Sequence, residues 1–429
     1  MEVKRLFCSL RYMSRIFVLF LIVLLLFHLN VTNANQTCPE KKSGHFKLGL
    51  ENIPDNFLLS HNIGLITNQT GKAQSGKRNI ELLLARGLKL KKIFTPEHGI
   101  SGVVHTDKKI ADSSDECTQI PIISLFSRGR SKQMNLQMLE NIDVLMFDIQ
   151  DSGMRHYTYI STMFQALEIA SKYKKKFVVL DRPNILGPCM EGPLVEKGLE
   201  SFISFAPIAL RHGMTVGELA IYYNKYILKK PVKLYVVKMK HYKRDSYEHN
   251  SLLTHLSSGI KTLESCHGYS FLGLLGEIKP FHVGLRTPFA FQSIFVPDTR
   301  LFTKENWMGL CKILDSYGVE GVLCRICGKR NYYTGLKCRI KDVYMLQAFQ
   351  LLIKTLVFFK DSGLKMEFSK SFDRAVGTNR LREFVDGKIT NCELEQFVNN
   401  GLNSFYQKAK SCFLYQPLPK INYLDLSSF

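Results

Sequence analysis

No nucleotide or metalloprotease signature runs through this chain. It has neither a GxxxxGKS/T loop nor a GxGxxG turn, so both glycine-rich phosphate cradles are excluded. HExxH and GxSxG are also absent, which removes a zincin helix and a nucleophile elbow. There is no internal repeat, no low-complexity tract and no second apolar run long enough to span a membrane. Acidic residues are scarce: 37 Asp and Glu against 58 Lys and Arg, a formal charge of +21. Residues 1–34 hold four basic residues and one acid, so they account for +3 and the remainder carries +18. Such a surface concentrates anionic partners, whether nucleic acid, anionic lipid or acidic wall polymers, unless it is simply a solvated lysine-rich face. The basic residues are scattered and not interleaved with aromatics on one element, so a nucleic-acid module is lacking.

The cysteines are too widely spaced for a small disulfide scaffold. Cys324 and Cys327 form a CxxC, but only Cys338 lies near and no second pair matches it, so a zinc site is not expected. VLCRICG alternates like a strand, which suits core cysteines or a disulfide. Neither metal nor cofactor is expected.

What is present begins at the N-terminus. A basic start, an apolar run from Ile16 to Phe27, and small residues Thr32 and Ala34 read as a signal peptide over residues 1–34. Export to the periplasm or cell exterior follows, with membrane association only if the signal stays uncleaved.

The chain is organised around Asp143–Met163, DVLMFDIQDSGMRHYTYISTM. Val144–Phe147 is a buried-strand run that stops at Asp148, Gln150 and Asp151. Gly153 permits a turn, and Tyr157, Ile160, Met163, Phe164 and Leu167 recur at helical spacing. Three other runs end alike: Ile63–Ile66 before Asn68, Leu90–Phe94 before Glu97 and His98, and Phe177–Leu180 before Asp181 and Arg182. Four strands delivering polar groups at one end predict a single site outside the carboxyl ends of a parallel sheet. Helices are expected near Leu48–Leu59, Ile80–Arg86, Met134–Leu139, Met163–Tyr173, Val343–Phe359 and Glu393–Lys410. Further strands are expected at Ile122–Leu125 and Pro231–Met239, and residues 99–118 read as a long loop. Thr215 and Glu218 have capping-box spacing, a structural role for Glu218. The texture changes near residue 235. The expected fold is α/β: a Rossmann-like parallel-sheet catalytic domain over residues 35–235, then a smaller α/β domain over 236–429 completing the cleft.

At these loops the chain resembles the bacterial exo-β-N-acetylmuramidases of the NamZ type. The resemblance rests on GLITNQTG (Gly64–Gly71), TPEHGI (Thr95–Ile100), VLMFDIQDSGMRHYTYISTM (Val144–Met163), VLDRPNILG (Val179–Gly187), EGP (Glu191–Pro193), RHGMTVGELA (Arg211–Ala220) and FDRAVGTNRLREFVDGKIT (Phe372–Thr390). It implies removal of a terminal N-acetylmuramic acid from the non-reducing end of peptidoglycan fragments, so muramyl saccharides are the expected partners. One region departs. TLES (Thr262–Ser265) is kept, but GYSFLGLLGEIKPFHVGLRTPF follows in place of the family's acidic Gly-Thr-Asn-rich loop, with Glu277 and Arg286 as shifted substitutes.

Glycoside hydrolysis needs a proton donor for the leaving oxygen and stabilisation of an oxocarbenium-like centre. The resemblance places the catalytic glutamate at Glu97, the expected general acid. Asp148 and Asp151 are catalytic candidates that would position water or stabilise charge, and Asp181 a candidate for sugar hydroxyls. Any one of them alone would read as a loop aspartate bonding its own backbone. Arg155, Arg182 and Arg211 either pair with the lactyl carboxylate of muramic acid or hold those aspartates. Asn68, His98, Gln150, Tyr157, Glu191 and His212 complete the substrate-binding set, with His156 a structural histidine beside it. A 2-acetamido group acting as internal nucleophile remains an alternative to a second carboxylate. The competing functions are hydrolysis of another amino-sugar glycoside, and an inactive wall-binding protein.

Overall fold

Six of the sheet's strands were legible as apolar runs. A computed structural model describes residues 45–105, 107–246, 255–297, 302–327 and 332–427. The signal-peptide segment lies outside the described residues. The runs become β1 (Asn62–Thr67), β2 (Lys89–Thr95), β4 (Pro121–Ser124), β5 (Val144–Asp148), β6 (Lys176–Leu180) and β7 (Leu234–Val237), with a two-residue edge strand β3 (Ser113–Ser114) before β4. They form one seven-stranded sheet in the order β7-β6-β5-β1-β2-β4-β3. All neighbours are parallel except β3 and β4. Leaving out the edge strand, this is the doubly wound order of a Rossmann-like sheet. Every residue of β5 is buried, as strands covered on both faces require.

The crossovers are α1 (Asn79–Ala85), α2 (Tyr159–Lys172) and α3 (Val216–Tyr226). In α2 the buried set includes Ile160, Met163, Phe164, Leu167 and Ala170, one face at helical spacing. In α3 the Thr215–Glu218 capping box is closed on both sides. Glu218 does more than cap, since Arg244 donates to both its oxygens at 2.6 and 2.9 Å in full burial.

Two expected helices did not form. Within 48–59 only a 3-10 turn, Gly49–Asn52, is made. Pro54 follows, and Asn56 and Leu58 take left-handed backbone, which a helix does not accept. Residues 136–141 form only turns: Asn135 Oδ1 caps the Met138 N–H at 2.9 Å, but left-handed Asn141 ends the run before a helix extends.

After β7 come α4 (Leu263–Leu275), β8 (Ser293–Pro297), α5 (Lys304–Asp315), β9 (Val319–Cys327), β10 (Tyr332–Ile340), α6 (Ala348–Asp361) and α7 (Asn391–Ala409). β8, β10 and β9 make an antiparallel sheet in that order. The cysteine pair lies on β9 as a strand, and Cys324 is a free thiol. By their contacts residues from Phe46 onward form one compact unit. Arg155 spans it: its guanidinium donates to the carbonyls of Pro193 and Ile208 at 2.6 and 2.7 Å, and to those of Ala375 and Val376 at 3.1 and 2.5 Å.

Candidate active site

β2 ends at Thr95, and the chain turns at once: His98 and Gly99 both have left-handed backbone. That turn delivers Glu97 to the floor of a cleft of about 1400 Å³. Glu97 is 8% exposed. Thr158, the N-cap of α2, donates its hydroxyl to Glu97 Oε2 at 2.6 Å. His98 donates through Nδ1 to the Val104 carbonyl at 2.7 Å.

Aromatic side chains make the rest of the floor. The Tyr157 and Tyr159 hydroxyls donate to the Leu256 carbonyl at 2.9 and 3.2 Å, and their rings meet edge-on at 4.7 Å. Gln69 Nε2 donates to that carbonyl as well, at 2.8 Å. These bonds hold the 255–262 segment as one wall, with Lys261 on it. Burial pushes both phenols well above their ordinary pKa, so they remain neutral. The opposite wall comes from α4 and the following loop, with Tyr269, Glu277, Arg286 and Phe291. Ser369 and Ser371 hydroxyls hold Glu277 Oε2 at 3.2 and 2.5 Å. Burial, then the charges of Glu97, Glu277 and Asp151, raise the Tyr269 phenol far above its usual value, so that ring sits among the carboxylates as a neutral hydroxyl.

Of the expected site residues, Glu97, His98 and Tyr157 line the cleft; the others do not. Asp148 is fully buried at the end of β5, where Arg182 grips it at 2.6 and 3.0 Å and Asn79 adds a bond at 2.7 Å. The crevice beside β1 and β5, where a Rossmann ligand would sit, is thus occupied by an ion pair. Asp181 accepts from Thr215 Oγ1, Gly217 N–H and the Tyr415 hydroxyl, and burial raises its pKa to about 6. Arg211 pairs with Glu191 and with the Leu186 carbonyl in a buried site. None of the three motif arginines lines the cleft; of the two roles open to them, internal clamping is the one their contacts show, with Arg182 alone holding one of the aspartates. Asp151 lies one layer behind the floor. Its Oδ2 accepts from Gly153 N–H at 2.7 Å and from His212 Nε2 at 3.1 Å. His212 Nδ1 takes the Met214 N–H, which fixes the tautomer that donates to Asp151. Gly153 has φ +97°, and a Cβ there would lie 2.5 Å from Asn184 Oδ1, so the turn requires glycine. Gln150 Nε2 donates to the Asp151 and Pro183 carbonyls at 2.9 and 2.7 Å. Asn68 lies under the floor beside the Tyr159 hydroxyl, its Oδ1 holding Thr70.

Sequence reasoning missed Thr158, Tyr159 and Tyr269. The first two stand inside the motif Asp143–Met163, and the signal there was an N-cap threonine next to two tyrosines.

The comparisons agree with this architecture. The family description "Exo-beta-N-acetylmuramidase NamZ, N-terminal" matches residues 63–263. The chain is 37% identical over 395 residues to the peptidoglycan beta-N-acetylmuramidase NamZ of Bacillus subtilis (strain 168), a match spanning 88% of this chain and 92% of that protein. A DUF1343 family crystal structure from Bacteroides fragilis NCTC 9343 superposes with a TM-score of 0.76 at 29% identity, over 86% of this chain and 99% of the other. A second one from the same organism has a TM-score of 0.68 at 22% identity, over 87% and 99%, and speaks to the fold alone. A doubly wound α/β chain with a buried carboxylate in its cleft, and this likeness, is a glycoside hydrolase. It belongs to the exo-β-N-acetylmuramidase NamZ family.

Proposed function

We propose that this chain releases terminal N-acetylmuramic acid from the non-reducing end of peptidoglycan fragments, with Glu97 as the general acid. The carrying observation is the Glu97 carboxyl on the cleft floor, clamped through Oε2 by Thr158. As general acid, Glu97 passes its proton to the glycosidic oxygen as the C–O bond breaks, and positive charge grows at the anomeric carbon. The substrate's own acetamido oxygen is available as the internal nucleophile. Lys261 and Arg286 line the cleft and supply cations for a lactyl carboxylate. The named activity of the B. subtilis relative supports the same substrate. The deciding experiment compares turnover of a chromogenic N-acetylmuramide and N-acetylglucosaminide. Preference for the muramide is expected; preference for the glucosaminide would favour the other amino-sugar reading.

The basic, apolar N-terminus supports export as a further part of this reading. A mature N-terminus near Asn35 in the extracytoplasmic fraction is expected on N-terminal sequencing, and an intact one in membranes would overturn cleavage.

A further inference from the structure

Positive charges that lie apart in the sequence gather at the amino ends of the strands, opposite the cleft. Lys172, Lys174, Lys175 and Lys176 close α2 and open β6, and Lys225, Lys229, Lys230 and Lys233 close α3 and lead into β7. β6 and β7 are parallel neighbours, and the Phe177 N–H donates to the Lys233 carbonyl at 3.0 Å. Ser171 Oγ donates to the Lys230 carbonyl at 2.6 Å, so the two lysine turns make one surface. Six of these lysines are exposed, and Lys175 and Lys176 are half-buried. The acids beside them are engaged: Asp143 Oδ2 takes the Asn62 N–H and Glu168 Oε1 the Tyr223 hydroxyl, both at 2.8 Å. Among the described residues none of the eight is in an ion pair, and the lysines that are, Lys279, Lys341 and Lys388, belong to the other half of the chain.

Helix ends account for two of these lysines. Lys172 and Lys225 stand in the last turns of α2 and α3, where a cation offsets the helix dipole. The other six have no such role, and like charges held together oppose the compact state. An anionic partner relieves that repulsion. The same helix ends argue against one discrete phosphate, because they turn carbonyls and not N–H groups to the surface. All eight are lysine, a hydrated point charge, where arginine would grip a single anion bidentately. Such a face suits many phosphates at loosely defined positions. The exposed large apolar side chains here are Tyr226 and Tyr235, and each has a lysine ammonium over its ring, at 5.1 and 5.6 Å. Among the described residues this end therefore offers no bare ring on which a base could stack. It also offers no exposed aliphatic group to enter a bilayer, the second signal that stable membrane attachment needs beside basic residues.

We propose that this lysine face binds a linear phosphodiester polymer, an acidic polymer of the cell wall, and holds the enzyme on it with the cleft left open. The five residues of β6, about 16 Å of strand, separate the lysines from the carboxyl ends that lead to the site. The inference goes beyond the hydrolytic reading and holds whichever amino sugar is cleaved.

The test is binding of the purified chain to immobilised poly(glycerol phosphate). Wild type should bind, and its affinity should fall roughly tenfold or more between about 50 and 200 mM salt as counterions compete. The triple variant Lys174→Glu, Lys229→Glu, Lys230→Glu should lose roughly tenfold or more in affinity. Its kcat/KM on a soluble chromogenic N-acetylmuramide should stay within about twofold of wild type, since the face lies more than a Debye length from the site. Lys304→Glu, Lys312→Glu, Lys365→Glu, at three exposed lysines of α5 and the loop after α6, changes the net charge equally and should cost less than about threefold in affinity. Absence of wild-type binding at low salt, or equal losses in the two triple variants, overturns the face. Tighter binding to vesicles of anionic phospholipid than to the polymer overturns the polymer as its partner. Polymer binding without turnover of the muramide would instead sink the muramidase reading and leave the face standing.

Discussion

Thr158 Oγ1 and Glu97 Oε2 stand 2.6 Å apart, and that bond ties the first residue before α2 to the loop after β2. It holds one oxygen of the carboxyl and orients the group towards the cleft. Glu97→Gln should fold as wild type and lose roughly two to four decades of rate, the usual contribution of general acid–base catalysis. The loss should shrink for a substrate with a very good leaving group. Thr158→Val should cost about tenfold, from one hydrogen bond, and Thr158→Ser should restore most of it. Near-normal turnover of an unactivated disaccharide by the Gln variant would rule out the acid role.

Arg182 and Asp148 form a bidentate pair with almost no exposure. Removing one partner leaves an uncompensated buried charge, which costs about 3–5 kcal/mol. Arg182→Met should therefore lower the urea midpoint strongly and reduce activity on muramide and glucosaminide in equal proportion. A stable variant with selectively impaired muramide turnover would return Arg182 to the substrate site.

Arg286 is the divergent segment's cleft-lining cation. A charge-assisted hydrogen bond to the lactyl group contributes about 1.5–3 kcal/mol. Arg286→Met should lower kcat/KM on the muramide by roughly tenfold to a hundredfold and leave the glucosaminide rate little changed. Equal losses on both sugars would exclude it as the lactyl partner.

Stability should fall on acidification. Burial holds His156 at about 3 and His267 at about 4, both below the ordinary histidine value of 6.5. Between about pH 4 and 6.5 the unfolded chain protonates them and the folded protein does not, so acid favours unfolding. Buried Asp181, raised to about 6, works in the opposite direction between about pH 4 and 6. Two histidines against one aspartate leave one net proton there, about 1.4 kcal/mol per pH unit. Urea midpoints measured from pH 4 to 7 should show this slope, and His156→Phe should nearly flatten it. A midpoint that rises as the pH falls would contradict the assignment.

Strands and their order of appearance are local matters. Apolar runs such as Val144–Phe147, and the Thr215–Glu218 spacing, act over a few residues, so they can be read directly from the chain. Glu97 was named from the family resemblance of TPEHGI, and the structure puts it at the cleft where β2 ends in a left-handed turn. The partners of the other charged groups were not legible. Asp148 meets Arg182 34 residues on, and Arg155 meets Val376 221 residues on. In the linear chain Asp148, Asp151 and Arg182 are the same kind of strand-end residue as Glu97. Only packing decides which of them face water and which must find a counter-charge, because an ion left unpaired in the interior is too costly to persist. The order of apolar runs and polar loops along the chain therefore determined a parallel α/β sheet with ionisable loops at one end. The tertiary structure decided which of those loops open onto the cleft, since the interior neutralised most of their charges and left Glu97 and the neighbouring tyrosines lining it.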